Sequence, residues 1–197
     1  MPSEVSPSLA ELEARLLPPD LESTADPVLI MMSGLPGSGK SHLSRMLAER
    51  LKAVVLESDA VRKALFPQPC YSADESATVH RACQQVMRRL LTKGVRVIFD
   101  ATNLVEFQRE TIYSLVQGSG ARLLIVRTVA PEDVIRERLT RRQEEPESTS
   151  DADWHVYRRM AHREQKIRQP HVCIDTSKDP EDAVRKVMRV LRRGSTR

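Results

Sequence analysis

Apolar positions along the chain follow two rhythms. Short apolar runs stand at 28–32 (VLIMM), 53–57 (AVVLE), 95–99 (VRVIF), 122–128 (RLLIVRT) and 172–175 (VCID). Each is too short for a helix and suits a strand buried on both faces of a parallel sheet. Helical spacing fills the intervals. Leu9, Leu12, Leu16 and Leu17 recur behind a Ser8 cap and stop at Pro18 and Pro19. Further helices are predicted at 43–51, at 75–92 and at 104–116. The second has the stripe Val79, Cys83, Val86, Met87, Leu90, Leu91 and ends at Gly94; the third closes at Gly118 and Gly120. Pro131 opens another, which runs through Arg142 with Glu132 and Asp133 at its positive end. Ser150, with Asp153 three residues on, is expected to cap a helix at 151–167, and the last helix is expected at 180–191. Residues 65–74 and 144–149 read as loops. Strands alternating with helices predict an α/β three-layer sandwich, a five-stranded parallel sheet with helices on both faces. Residues 1–27 read as an N-terminal helical extension and 28–197 as the domain itself.

Composition narrows the class. The chain has 197 residues, 40% apolar and 29% charged, with a net charge of +4. That is a globular balance with a core, and the mild basicity suits an anionic ligand better than a dedicated nucleic-acid surface. Cys70, Cys83 and Cys173 are odd in number and lack zinc or redox spacing, so free thiols in a reducing compartment are expected. His155 and His162 are seven apart without further ligands, which points to surface histidines. The N-terminus lacks the basic and apolar regions of a signal peptide. No run reaches the ~20 apolar residues that span a bilayer. A cytoplasmic protein without a membrane partner is expected.

One stretch carries specific chemistry. The first strand is followed by Gly34, Leu35, Pro36, Gly37, Ser38, Gly39, Lys40 and Ser41, then His42 and a helix. This is G-x-x-x-x-G-K-S/T in its strand–loop–helix context, the P-loop pattern. Glycines let the backbone wrap a phosphate closely, and the helix adds unpaired N–H groups and its positive end. Lys40 is expected on the β- and γ-phosphates, and the Ser41 hydroxyl on Mg²⁺.

Other candidates stand at the ends of later strands, where a parallel sheet opens its crevice. Asp59 is placed to take a proton from an attacking hydroxyl, or merely to cap the turn at Ala60. Arg62, three residues on, is placed to hold an anionic group. Asp100 ends the third strand, where a second Mg²⁺ contact is expected. Thr102 and Asn103 are candidates to bond substrate or Asp100. Arg109 faces either the acceptor or solvent. Arg138 and Arg142 share a helix face with Arg141 one step away, either as a lid over the transferring phosphoryl group or as a solvated basic face.

The segments GLPGSGKS (34–41), ESDAVRK (57–63), VIFDATN (97–103), RERLTRR (136–142) and IDTS (174–177) occur in that order. Together they resemble the small P-loop kinases grouped as predicted kinases or AAA-type ATP-binding proteins. That group is similar to the kinase domains of polynucleotide 5′-hydroxyl kinases, gluconate kinases and zeta toxins. The resemblance spans about 28–191. It implies a P-loop NTPase fold with a helical lid, and ATP and Mg²⁺ as cofactors held by the 34–42 loop. It implies Ser41 and Asp100 at the metal, Asp59 as base, Arg62 placing the acceptor, Arg138 and Arg142 in the lid, and Thr176 near adenine. His42 stands where the family usually has Thr, a change expected to affect packing only. The expected reaction is transfer of the γ-phosphoryl group to a hydroxyl of a small molecule or nucleotide. Rival readings are a polynucleotide acceptor, not favoured because no aromatic-rich basic groove is visible, and a nucleotide-dependent switch or ATPase without an acceptor. A monomer or a homodimer fits either.

Overall fold

The computed structural model describes residues 7–143 and 152–194. Five strands, β1 (Val28–Ser33), β2 (Val54–Glu57), β3 (Val97–Asp100), β4 (Arg122–Val129) and β5 (Val172–Asp175), form one sheet in the order β2-β3-β1-β4-β5. Every neighbouring pair is parallel. The helices are α1 (Leu9–Leu16), α2 (Lys40–Leu51), α3 (Ser58–Leu65), α4 (Ala73–Thr92), α5 (Glu106–Gln117), α6 (Glu132–Gln143), α7 (Trp154–Ala161) and α8 (Pro180–Gly194).

β1 sits between β3 and β4, so all six of its residues are buried. Its alternation sorts the core into two layers. Val28, Ile30 and Met32 pack with α2 and α8 on one face; Leu29 and Met31 pack with α1, α3, α4 and α5 on the other. Burying each such side chain contributes about 1.5–3 kcal/mol, which fixes the strand from which the phosphate loop springs.

The N-terminal segment is stitched to the second layer. Ser8 and Glu11 form a reciprocal capping box on α1, Leu12 is buried in the core, and Glu13 pairs with Arg89 at 3.1 Å. Ser23 bridges Val95 in antiparallel fashion, which takes Val95 out of β3 and starts that strand two residues later than its pattern suggests. Cys70, Cys83 and Cys173 are free thiols. Burial pushes the Cys83 thiol up to about 12.

The sequence misleads most around α7. The helix expected at 151–167 is only Trp154–Ala161, and its cap is Asp153, which accepts from Val156 N at 2.8 Å. Ser150 and the loop 144–149 lie outside the described residues. Beyond Ala161 the chain leaves the helix, because Ile167 is drawn into the core as an anchor and Gln165 N bonds to Leu104 O at 2.9 Å. α7 is clamped to α6 instead: Arg136 stacks 4.6 Å over the Trp154 ring, and Trp154 stacks on Tyr157 at 4.7 Å.

Candidate active site

Connections leave β1 toward β2 on one side, and from β3 cross back over β1 to β4. The carboxyl ends of the strands therefore open a crevice at β1, the usual ligand position in such sheets. The loop from Gly34 to Gly39 occupies it.

Three glycines shape the loop, and each is held against a different element. Gly34, Gly37 and Gly39 have φ of +148°, +76° and +82°. A Cβ on Gly34 would lie 2.6 Å from the Thr128 carbonyl oxygen of β4. On Gly37 it would lie 2.9 Å from Ile135 of α6, and on Gly39 2.9 Å from the Thr176 hydroxyl beyond β5. Glycine is thus required both by dihedral and by close approach. Hydrogen bonds seal the same contacts. Ser38 Oγ lies 2.7 Å from Thr128 Oγ1, Gly34 N donates to Thr102 O at 3.0 Å, and Thr176 Oγ1 donates to Ser38 O at 3.0 Å. Gly39 caps α2 without a side chain, leaving that end's N–H groups for an anion.

Lys40 and Asp100 face this loop, and both are nearly buried. The Lys40 amine donates to Leu35 O at 3.0 Å. Burial pushes it below its ordinary value, Asp100 and Asp59 pull it back up, and Arg142 adds to the depression. Burial pushes the Asp100 carboxyl up, while Lys40 and the Ser41 hydroxyl pull it down; Asp59 raises it further and Arg45 lowers it. One Asp100 oxygen is buried with no partner. A buried orphan carboxylate oxygen beside a serine hydroxyl is a hard-oxygen donor set that fits Mg²⁺. Among the described residues, no group of three or more His, Cys, Asp or Glu could hold a metal. Mg²⁺ typically takes its other oxygens from water and substrate phosphates, so Ser41 and Asp100 suffice as the protein's share.

Asp59 lies two residues beyond the end of β2, and the β2–β3 register sets Glu57 against Asp100. The two carboxylates, Asp59 and Asp100, are therefore brought beside Lys40. Arg142 is half-buried and its charge reaches Lys40. His42 is exposed.

Five other candidates are placed differently from expectation. Arg109 does not face solvent, which corrects the surface reading of it: its side chain is fully buried. It donates to Glu106 and to the carbonyls of Asn103, Leu104, Gln165 and Lys166. With every N–H engaged it is a knot between the loop after β3 and the segment after α7. Arg138 of α6 contacts the loop directly. It donates to Thr176 Oγ1 at 2.8 Å, to Thr176 O at 2.7 Å and to Gly37 O at 3.4 Å, so it braces the loop from α6. Asn103 is buried with φ +43°, and its amide donates to Met32 O at 2.7 Å. Thr102 acts through its carbonyl on Gly34. Arg62 is paired with Glu75 and bonds Ser76 Oγ at 3.3 Å.

Sequence reasoning missed Glu75 and Thr128. Glu75 reads as one more acid in the first turn of a helix, and Thr128 as one more polar strand end. Nothing local signals that the first meets Arg62 or that the second locks the loop.

A phosphate-binding glycine loop at the switch point of a five-stranded parallel sheet defines a P-loop kinase-like nucleotide-binding fold. The chain belongs to the family described as AAA domain, whose profile matches residues 29–167. It is similar to a candidate kinase of Chloroflexus aurantiacus (25% identity, TM-score 0.68, 85% of this chain and 97% of that one). It shares its fold with the APS kinase CysC of Mycobacterium tuberculosis (19%, TM-score 0.66, 86% and 99%). The same holds for a gluconokinase of Sinorhizobium meliloti (20%, TM-score 0.61, 87% and 94%). Among the described residues no helix is long and apolar enough to cross a membrane.

Proposed function

We propose that this protein is an ATP-dependent kinase that transfers the γ-phosphoryl group of ATP to a hydroxyl of a small molecule. One observation carries the reading: the loop amine Lys40 sits in the fields of two carboxylates, Asp100 and Asp59, from neighbouring strand ends. The two have different work. Asp100, with Ser41, belongs to the metal, and bound Mg²⁺ would supply charge neutralisation at the phosphates. Asp59 accepts the proton of the acceptor hydroxyl as it attacks in line. Lys40 and the loop N–H groups hold the phosphates, and Arg142 answers the charge that develops on the transferring group. Bracing by Arg138 and Thr176 keeps the loop fixed, so little reorganisation is left for the reaction.

The kinase names among the structural relatives support this class, and they act on chemically different acceptors. Asp59→Asn is the test. Phosphoryl transfer should fall at least ~100-fold, since general-base catalysis is worth about that much or more, while affinity for Mg·ATP stays within roughly twofold. The assay is ADP release and labelled product, each with and without a panel of alcohols. Unchanged transfer would remove Asp59 from this role. ADP release at the same rate with and without every alcohol would favour an ATPase or switch.

A further inference from the structure

We propose that the acceptor side is built for an uncharged hydroxyl compound, because Glu75 already neutralises the cation that Arg62 would offer to an anionic acceptor. This rests on the kinase reading above and specifies its substrate class.

Arg62 stands one helical turn after Asp59 on α3. Arg62 reaches across to Glu75 and Ser76 on α4, so its side chain lies on the side of α3 that faces α4. The Arg62 guanidinium bonds Glu75, and the two side chains are 12% and 4% exposed. The face of the guanidinium lies 4.8 Å under the Tyr71 ring. Glu75 is held from behind as well. Its second oxygen accepts from Cys70 N at 2.7 Å, Cys70 Sγ at 3.0 Å and Tyr71 N at 3.1 Å. A surface glutamate would yield its arginine to an incoming phosphate or sulfate. This one cannot swing away without orphaning the backbone donors of the loop before α4. Tyr71 adopts φ +56°, a strained setting for an aromatic residue that the same clamp maintains.

The balance of charge points the same way. Asp59 and Glu75 bring two negative charges around one positive charge. His80 also feels Arg62: burial and then Arg62 push it below its ordinary value. An anionic acceptor would find the Arg62 guanidinium already paired with Glu75; a neutral polyol, sugar or nucleoside would not need it.

The test is calorimetric titration of sodium sulfate, as the anion probe, into protein loaded with Mg·AMP-PNP so that the phosphate loop is filled. Wild type should give no saturable heat. Glu75→Gln, which keeps a carbonyl oxygen for the loop amides, should bind sulfate at least tenfold more tightly than wild type, and the Glu75→Gln/Arg62→Gln double variant should lose that binding. Wild type that binds sulfate as tightly as Glu75→Gln would overturn the proposal. If Glu75→Gln does not fold, the wild-type isotherm decides alone: saturable binding overturns, its absence supports. Failure of AMP-PNP to bind would strike the kinase reading, and this proposal with it; sulfate binding by wild type with AMP-PNP bound would overturn this proposal alone.

Discussion

The two halves of the crevice are built from different materials. On the phosphate side, backbone meets backbone and small hydroxyls: Gly34 against Thr128, Gly37 against α6, Gly39 against Thr176. Arg138 and Lys40 add charged donors to the Gly37, Thr176 and Leu35 carbonyls. On the acceptor side, one ion pair and a carboxylate with four donors hold the loop before α4. The first kind of construction tolerates no added atom. The second tolerates many shapes and depends on ionisation.

The largest expected effect strikes the phosphate side. Lys40→Ala should weaken Mg·ATP binding roughly 100-fold, through loss of the phosphate-side lysine, without lowering the melting temperature. The sign follows from its environment. Burial holds the Lys40 amine below its ordinary value, so the charged form is a cost to the folded protein near neutral pH, and deletion removes that cost. Calorimetry and a thermal melt read both halves of this prediction. A fall of many degrees would show that Lys40 supports the fold instead.

A pair of glycine substitutions sharpens the contrast between interlocked and free backbone. Gly34→Ala would press a methyl group against the Thr128 carbonyl and should cost about 3 kcal/mol. Gly120 also has positive φ, +70°, yet nothing lies within 4 Å of its Cβ position. Gly120→Ala should cost only about 1 kcal/mol. For a chain of this size, melting temperatures should fall by roughly 6–12 °C and 2–4 °C respectively. Equal losses would mean that the dihedral, not the contact with β4, governs Gly34.

The smallest expected effect is confined to acid and to the other half. Burial raises the Glu75 carboxyl, but the bonds from Cys70 and Arg62 outweigh it and hold it at about 2, against an ordinary 4.5. A depressed carboxyl stabilises the fold above its unfolded value and loses that contribution as pH falls through the folded one. Melting temperature should therefore decline between pH 4.5 and about 2, and Glu75→Gln should flatten that decline. An identical slope in the variant would show that other carboxylates set it.

The phosphate half was legible because its signal is local. Gly34, Gly37, Gly39, Lys40 and Ser41 are nearly contiguous, and β1 is apolar throughout. The five strands could be read for the same reason, as could Asp59 and Asp100, which simply follow strands. The acceptor half was not legible, because its residues meet only after folding. Arg62 and Glu75 are thirteen positions apart across a loop whose path depends on how α3 packs on α4. Arg109 carries the charge of a surface residue and is fully buried, a position made tolerable by the Glu106 carboxylate and by carbonyls that include those of the distant Gln165 and Lys166. The end of α7 was misplaced because Ile167 continues a helical spacing while its side chain serves a different layer of the core.

The three-way grip on the glycine loop has a consequence for synthesis. A ribosome that has delivered the chain only through β3 has already made every residue of the loop, yet Thr128, Ile135 and Thr176 do not exist to press it into shape. If the loop binds nucleotide as proposed, that affinity arrives only once Thr176 has been made, and the nucleotide would favour chains in which the grip is formed over those in which it is not.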